Sequence, residues 1–298
     1  MKVLLAIDSS PSSQRLLKEA AARPWPQKTT FCVATAVEVT LFVELPSVVE
    51  ELKSEAEKLV AAAAAQLTRA NLIASAQVLS GSPRKAISDY ASEWGADLIL
   101  AGSHGHSAIG RFLLGSVAQG ILRTAPCSVE IVRFAAGDSS PSSHPMKILV
   151  ATDGSECSIA AVEAAAARPW PAGSQFRVLS VEDLIVAETP MAAYSPATIY
   201  PASLLEELLA DARTRAVTAI DQARKVLSAV GLKVLDQHAV PACDPRVGIL
   251  DAAQTWSADM IIVGSHGRRG LDRLLMGSVA ESVAVHAKCS VEVIRKKS

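Results

Sequence analysis

Gly102-Ser103-His104-Gly105-His106-Ser107-Ala108-Ile109-Gly110-Arg111-Phe112-Leu113-Leu114-Gly115-Ser116 returns 162 positions later as Gly264-Ser265-His266-Gly267-Arg268-Arg269-Gly270-Leu271-Asp272-Arg273-Leu274-Leu275-Met276-Gly277-Ser278. Both stretches lie inside a longer match, 97–133 against 259–295, with 18 identities in 37 positions. Each follows a short branched-apolar run and precedes a helical pattern, which reads as strand, glycine-bearing turn and helix. Upstream, Met1-Lys2-Val3-Leu4-Leu5-Ala6-Ile7-Asp8-Ser9-Ser10 returns as Met146-Lys147-Ile148-Leu149-Val150-Ala151-Thr152-Asp153-Gly154-Ser155, and Arg23-Pro24-Trp25-Pro26 as Arg168-Pro169-Trp170-Pro171, both at an offset of 145. A period this long indicates duplicated domains and not a solenoid.

The rise of the offset from 145 to 162 places a net 17 extra residues in the second copy, expected between its second and third strands. The natural location is near 182–205, where Pro190, Pro196 and Pro201 interrupt regular structure and Tyr194 and Tyr200 add aromatic surface. A lid or contact loop and a poorly constrained insertion both fit this stretch. Between the copies, 134–145 is rich in Gly, Ser and Pro and reads as a linker. The expected organisation is a first domain over 1–135, a linker over 136–145 and a second domain over 146–298.

The 298 residues are 50% hydrophobic but 4% aromatic, with 29 Lys+Arg against 30 Asp+Glu and a formal charge of -1. That balance argues against a chain-wide surface for nucleic acid or anionic membrane. Apolar content drawn from Ala, Val, Leu and Ile suits strands covered on both faces. No apolar run approaches the roughly 20 residues that span a bilayer, and the Ala-rich stretch near residue 60 is bracketed by Lys58 and Arg69. The opening segment has no signal-peptide core, so a cytoplasmic location is expected. Five cysteines at 32, 127, 157, 243 and 289 have no CxxC spacing and read as reduced, buried thiols.

Alternating patterns predict strands over 3–7, 30–37, 73–79, 97–101 and 128–132, and again over 147–151, 175–181, 233–239, 259–263 and 290–294. A long helix is expected over 48–69, another opens at Ser82-Pro83, and a third runs over 115–123. Parallel pairing with right-handed crossovers follows, because every connection has room for a helix. In the glycine turns, backbone N–H groups can converge on phosphate, and the Gly-Ser that follows begins a helix. Asp8 and Asp153, ending the first strands, can accept hydrogen bonds from ribose hydroxyls. Neither a GxxxxGK[ST] loop nor a GxGxxG turn after the first strand is present, which disfavours the P-loop and dinucleotide mechanisms.

On these motifs the chain resembles a tandem universal stress protein across both halves. The family's Gly-two-Gly-nine-Gly-Ser/Thr pattern is met by Gly102, Gly105, Gly115 and Ser116, and again by Gly264, Gly267, Gly277 and Ser278. The resemblance implies two open α/β/α sandwiches, each with five parallel strands in the order 3-2-1-4-5, Rossmann-like and of the adenine nucleotide alpha hydrolase type. It also implies ATP, with or without Mg2+, between strands one and four. Ribose would meet Asp8 or Asp153, and adenine would meet Ala36, Val37 or Val181. Triphosphate would meet the glycine turn and the helix starts Gly115-Ser116-Val117 and Gly277-Ser278-Val279. Paired domains of the family pack through their last strands, which implies the same here.

The copies differ around phosphate: His106 aligns with Arg268, Ser107 with Arg269 and Gly110 with Asp272. Arg268 and Arg269 can supply charge where a mostly neutral His106 cannot, so tighter binding is expected in copy two. Arg111 and Arg273 read equally as phosphate contacts or solvated helix residues. His104 and His266 fit orientation of the turn better than catalysis, and Asp97 and Asp259 fit shaping the start of strand four. The leading functional reading is an ATP-responsive stress or regulatory module, with a homo-oligomer or a regulatory protein as further partner. A weak ATPase and a nucleotide-independent dimerisation or partner-binding scaffold are the alternatives; no general base or Mg2+ carboxylate pair stands out for hydrolysis.

Overall fold

The computed structural model describes residues 1–38, 45–104, 114–133, 144–182, 201–241, 244–268 and 276–296. Copy one runs β1 (Lys2–Ala6), α1 (Pro11–Ala22), β2 (Thr30–Val37), α2 (Pro46–Arg69), β3 (Ile73–Ser80), α3 (Pro83–Trp94), β4 (Leu98–Gly102), α4 (Ser116–Thr124) and β5 (Ser128–Val132). Copy two runs β6 (Lys147–Ala151), α5 (Glu156–Ala166), β7 (Gln175–Val181), α6 (Ala202–Ala229), β8 (Lys233–Val240), α7 (Pro245–Trp256), β9 (Met260–Gly264), α8 (Ser278–His286) and β10 (Ser290–Ile294). All ten expected strands form, with ends shifted by at most a residue.

Local chemistry explains the helix starts. Pro11, Pro46, Pro83 and Pro245 open their helices, where the missing N–H costs nothing. Asp244 caps α7 by accepting from Arg246 N at 2.9 Å. Backbone geometry repeats even where residues differ: the left-handed positions Lys28, Asn71 and Gly95 correspond to Gly173, Gly231 and Ser257.

The strands form one ten-stranded sheet in the order β3-β2-β1-β4-β5-β10-β9-β6-β7-β8. Within each copy all pairs are parallel and the order is third-second-first-fourth-fifth, as expected. Only β5 and β10 run antiparallel, with Ile131 opposite Val291, Glu130 opposite Glu292 and Val129 opposite Val293. Glu130 and Glu292 are equivalent residues of the two copies, so a pseudo-twofold axis passes between them.

The 17 extra residues are distributed. Strands β2 and β7 begin at Thr30 and Gln175, an offset of 145, whereas β3 and β8 begin at Ile73 and Lys233, an offset of 160. One more enters as a bulge in β8 between the pairs Phe176–Val234 and Val178–Gln237, and the last precedes α7, which starts at an offset of 162 from α3. Of the expected insertion, 183–200 falls outside the described residues.

On one face of the sheet, α3, α4, α7 and α8 cover a single apolar cluster that runs through both copies, from Leu4, Ile99 and Ile131 to Leu149, Ile261 and Val291. On the other face each copy keeps its own cluster, around Leu5, Phe31 and Leu67 in one and Ile148, Phe176 and Leu227 in the other. Between these two lies charge. Arg23 donates to both carboxylate oxygens of Glu130, at 2.9 and 2.5 Å, and its Nε lies 3.2 Å from Glu19, while Arg168 pairs with Glu292. The repeated Arg-Pro-Trp-Pro is thereby explained. Its arginine reaches the last strand, and its tryptophan packs edge-on against Phe31 or Phe176 and donates to Ala20 O or Ala165 O at 2.8 Å.

Asp97 and Asp259 do shape the start of strand four. Each accepts from the backbone N–H opening its copy's first strand, Lys2 at 2.6 Å and Lys147 at 2.7 Å. Cys32 and Cys127 are buried, Cys157 and Cys289 are partly buried, and all four are unbridged; Cys243 lies outside the described residues. No helix among the described residues is long and apolar enough to cross a membrane.

Candidate functional site

In each copy the strand order reverses between the first and fourth strands, and it is beyond the carboxyl ends at such a reversal that open α/β sheets bind ligands. Three distant pieces of sequence meet there. In copy two, Asp153 follows β6, the glycine turn from Gly264 to Arg268 follows β9, and Gly277-Ser278-Val279 begins α8.

Asp153 joins the first two pieces. Its Oδ1 accepts from Ser155 N at 2.9 Å and its Oδ2 from Arg268 N at 3.0 Å, while Ser155 Oγ donates to His266 O at 3.3 Å. Gly277 N donates to Ser265 O at 2.8 Å and fastens the third. The first helical bond of α8 closes from Glu281 N to Gly277 O at 3.0 Å. The amides of Ser278, Val279 and Ala280 therefore precede the helical ladder and face out of the N-terminus, where an anion is favoured.

The glycines have separate reasons. A Cβ on Gly264 would stand 2.5 Å from the backbone of Cys157, so this glycine lets α5 pack on β9. A Cβ on Gly267 would stand 2.8 Å from Asp153 Oδ2, and one on Gly277 would stand 2.9 Å from Ser265 O. Gly154 has φ +75, and the exposed Arg268 folds back over it, with Nη2 3.1 Å from where a Cβ would sit.

His266 is tied to its own turn through one ring nitrogen. Its Nδ1 shares a hydrogen bond with Ser265 Oγ at 3.0 Å, and burial, with Arg295 nearby, holds its pKa below the ordinary value, so the ring is neutral near pH 7. The matching Ser103–His104 bond is also 3.0 Å. In both copies this bond holds the ring against its own turn, while the buried Nε2 finds no partner among the described residues.

Copy one repeats the frame with a different carboxylate environment. Gly115 N donates to Ser103 O at 2.8 Å, and Gln119 N to Gly115 O at 2.9 Å, so Ser116, Val117 and Ala118 present the corresponding amides. Asp8 Oδ1, however, takes local donors: Ser10 N at 3.0 Å, Ser13 Oγ at 2.7 Å and Ser10 Oγ. In copy two the equivalent Ser158 Oγ turns to Thr152 Oγ1 at 3.1 Å and Ser155 O at 3.0 Å instead. Gly102 is also less tightly packed than Gly264, since its Cβ would come no closer to a neighbour than 3.3 Å, at Ser12 Cβ.

Ala36 and Val37 are half-buried at the end of β2, and Val181 is half-buried at the end of β7, each strand pairing with its copy's first strand. Gly105, His106, Arg111 and Arg273 lie outside the described residues, as do Ser107, Arg269 and Asp272. Among the described residues no group of three His, Cys, Asp or Glu side chains is placed to hold a metal ion. The sequence reading missed Ser13 and Ser158; the serine five residues after each strand-end aspartate was the available signal.

With this geometry, comparison with known proteins identifies the class. The universal stress protein family matches residues 1–133 and again 145–295, so this chain belongs to that family as two tandem copies. Universal stress protein Rv2005c of Mycobacterium tuberculosis is 29% identical over 204 residues, covering 67% of this chain. That match spans 62% of the relative's own length. Universal stress protein Rv2623 of the same organism is 27% identical in an alignment covering 99% of this chain and 96% of that protein. A solved universal stress protein from Archaeoglobus fulgidus has a TM-score of 0.67 at 22% identity, covering 100% of this chain and 98% of that one, a likeness of fold.

Proposed function

We propose that each copy holds one ATP and that the chain is a nucleotide-responsive regulatory module, with domains over 1–135 and 146–298 joined by 136–145. One observation carries this reading: the strand-end Asp153 and the glycine turn meet at 3.0 Å, beside a helix N-terminus fastened to the same turn at 2.8 Å. In this reading Asp8 and Asp153 bind ribose, and Ala36, Val37 and Val181 border adenine. Gly102, Gly105, Gly264 and Gly267, with Gly115-Ser116-Val117 and Gly277-Ser278-Val279, receive the phosphates. His106, Arg111, Arg268 and Arg273 flank them.

The glycines at 267 and 277 fit a phosphate turn, because a Cβ at either would collide with Asp153 or with the Ser265 carbonyl and push apart the pieces that bring the backbone amides together. Any Mg2+ would be carried by the phosphates and water. Copy two is proposed to bind more tightly, since Arg268 and Arg269 supply charge where copy one has His106 and Ser107. Occupancy would be read by a second copy of the chain or by a regulatory protein, in the cytoplasm.

Titration calorimetry with ATP on the full chain tests the reading. Binding is expected, with the larger loss on Gly267→Val in copy two than on Asp8→Ala in copy one. ATP at about one hundred times Kd should add about 2.7 kcal/mol of stability. No heat of binding together with no thermal shift overturns the nucleotide reading, and a larger loss on Asp8→Ala overturns the ranking of the copies.

A further inference from the structure

Each last strand ends in an arginine that leaves its own copy. Arg133, after β5, donates through Nη2 to Ala284 O at 2.6 Å and Val285 O at 3.0 Å, at the C-terminal end of α8. Arg295, after β10, donates through Nη2 to Leu122 O at 3.0 Å and Arg123 O at 3.1 Å, at the C-terminal end of α4. The backbone makes the same exchange: Arg133 N donates to Ser290 Oγ at 3.1 Å, and Arg295 N to Ser128 Oγ at 3.2 Å.

Among the described residues neither guanidinium has a carboxylate within ion-pair distance. Both are partly buried, and burial brings the Arg133 pKa down to about 10 and lowers that of Arg295. A buried cation without a carboxylate is costly unless other acceptors replace water. The terminal carbonyls of a helix, carrying the negative end of its dipole, supply acceptors for Nη2 of each arginine, while Arg133 Nη1 and Arg295 Nε find no partner among the described residues.

The capped helices are those whose N-termini face the proposed phosphate positions. Nine residues make a helix roughly 13 Å long. The arginines are also bound back to their own glycine turns, because Ser103 N donates to Val132 O at 3.2 Å and Ser265 N to Ile294 O at 2.9 Å. A connected path therefore runs from the turn of one copy, through the end of its last strand and the arginine, to the phosphate-facing helix of the other.

We propose that Arg133 and Arg295 are positioning residues, each holding the phosphate-binding helix of the opposite copy, so that the two nucleotide sites of one chain bind as a coupled pair. The proposal rests on the nucleotide reading above and adds a cross-copy dependence that the reading does not require.

The test uses the full chain with one site silenced. In an Asp8→Ala background, ATP titration reports copy two alone, and Arg133→Gln, a change in copy one, is expected to weaken that binding about fivefold. Arg133→Lys, which keeps the cation but loses the fork, should recover about half of the loss on a logarithmic scale. It also serves if the glutamine variant does not fold. In a Gly267→Val background, Arg295→Gln should weaken copy one by a similar factor. Affinities within twofold of the background in both series, or a lysine variant no better than glutamine, overturn the proposal while leaving nucleotide binding intact. No ATP binding by the unmodified chain overturns both.

Discussion

The two faces of the β5–β10 seam do opposite things with the same backbone ladder. On the face beneath α3, α4, α7 and α8, the apolar clusters of the copies merge into one. On the other face the clusters stop short of each other, and Arg23, Glu130, Glu292 and Arg168 fill the gap. Apolar burial is strong but non-directional, so the merged face supplies adhesion without selecting one alignment. The charged face selects. Glu130 meets Glu292 in a single register, and a one-residue slip would carry either glutamate to the apolar face. A buried pair contributes little net stability against a well-packed apolar substitute, yet breaking one is expensive. The seam thus separates holding from aligning.

The sharpest way to break this comparison is Arg168→Ala. Arg168 and Glu292 are both almost wholly buried, so the variant leaves a buried carboxylate without its partner and should cost about 4 kcal/mol by denaturant unfolding. The double variant Arg168→Met/Glu292→Leu should recover most of that loss, because the stranded charge is gone. A single variant costing less than about 1 kcal/mol would show that the charged face is solvated. On the merged face, Ile131→Ala should cost about 3 kcal/mol through lost burial and a residual cavity. No second substitution in the opposite copy should recover it by neutralising charge. Equal recovery on both faces would erase the distinction.

Much of this architecture was legible in one chain. Strands buried on both faces read as apolar runs, and duplication let each copy check the other, so all ten strands were expected from patterning, whereas the order within each copy and the pairing of the last strands were expected only from the family resemblance. The pieces of the site were legible for the same reason, since Asp153 and the glycine turn carry their own patterns. Partners across the seam were not. Arg23 and Glu130 are 107 residues apart, and a glutamate at the centre of an apolar strand looks like an outward-facing residue until the antiparallel register is known. Arg133 and Arg295 stood out only as identities, because their acceptors are backbone carbonyls, which no residue type announces. The bulge in β8 was hidden as well, since one added residue changes an offset without leaving a motif.

The smallest expected effect concerns protons. Burial raises the Glu292 carboxyl above the ordinary carboxylate range, against the pull of Arg168, and the facing Glu130 raises it further, while Arg23 lowers it. The folded chain therefore holds this proton at pH values where the unfolded chain has lost it. The stabilisation is complete below the unfolded value of about 4.3, declines as pH rises toward the folded value, and is gone above it. The contribution to the slope cannot exceed about 1.4 kcal/mol per pH unit, the limit for one proton. Glu292→Gln keeps the shape and an acceptor for Arg168 but cannot titrate, so the decline should flatten in that variant. On the merged face, Ile131→Ala should lower the stability-against-pH curve without changing its slope. Denaturant unfolding across the acid-to-neutral range reads both. Parallel curves for the unmodified chain and Glu292→Gln would mean that the seam stores no proton and that its charged face acts through register alone.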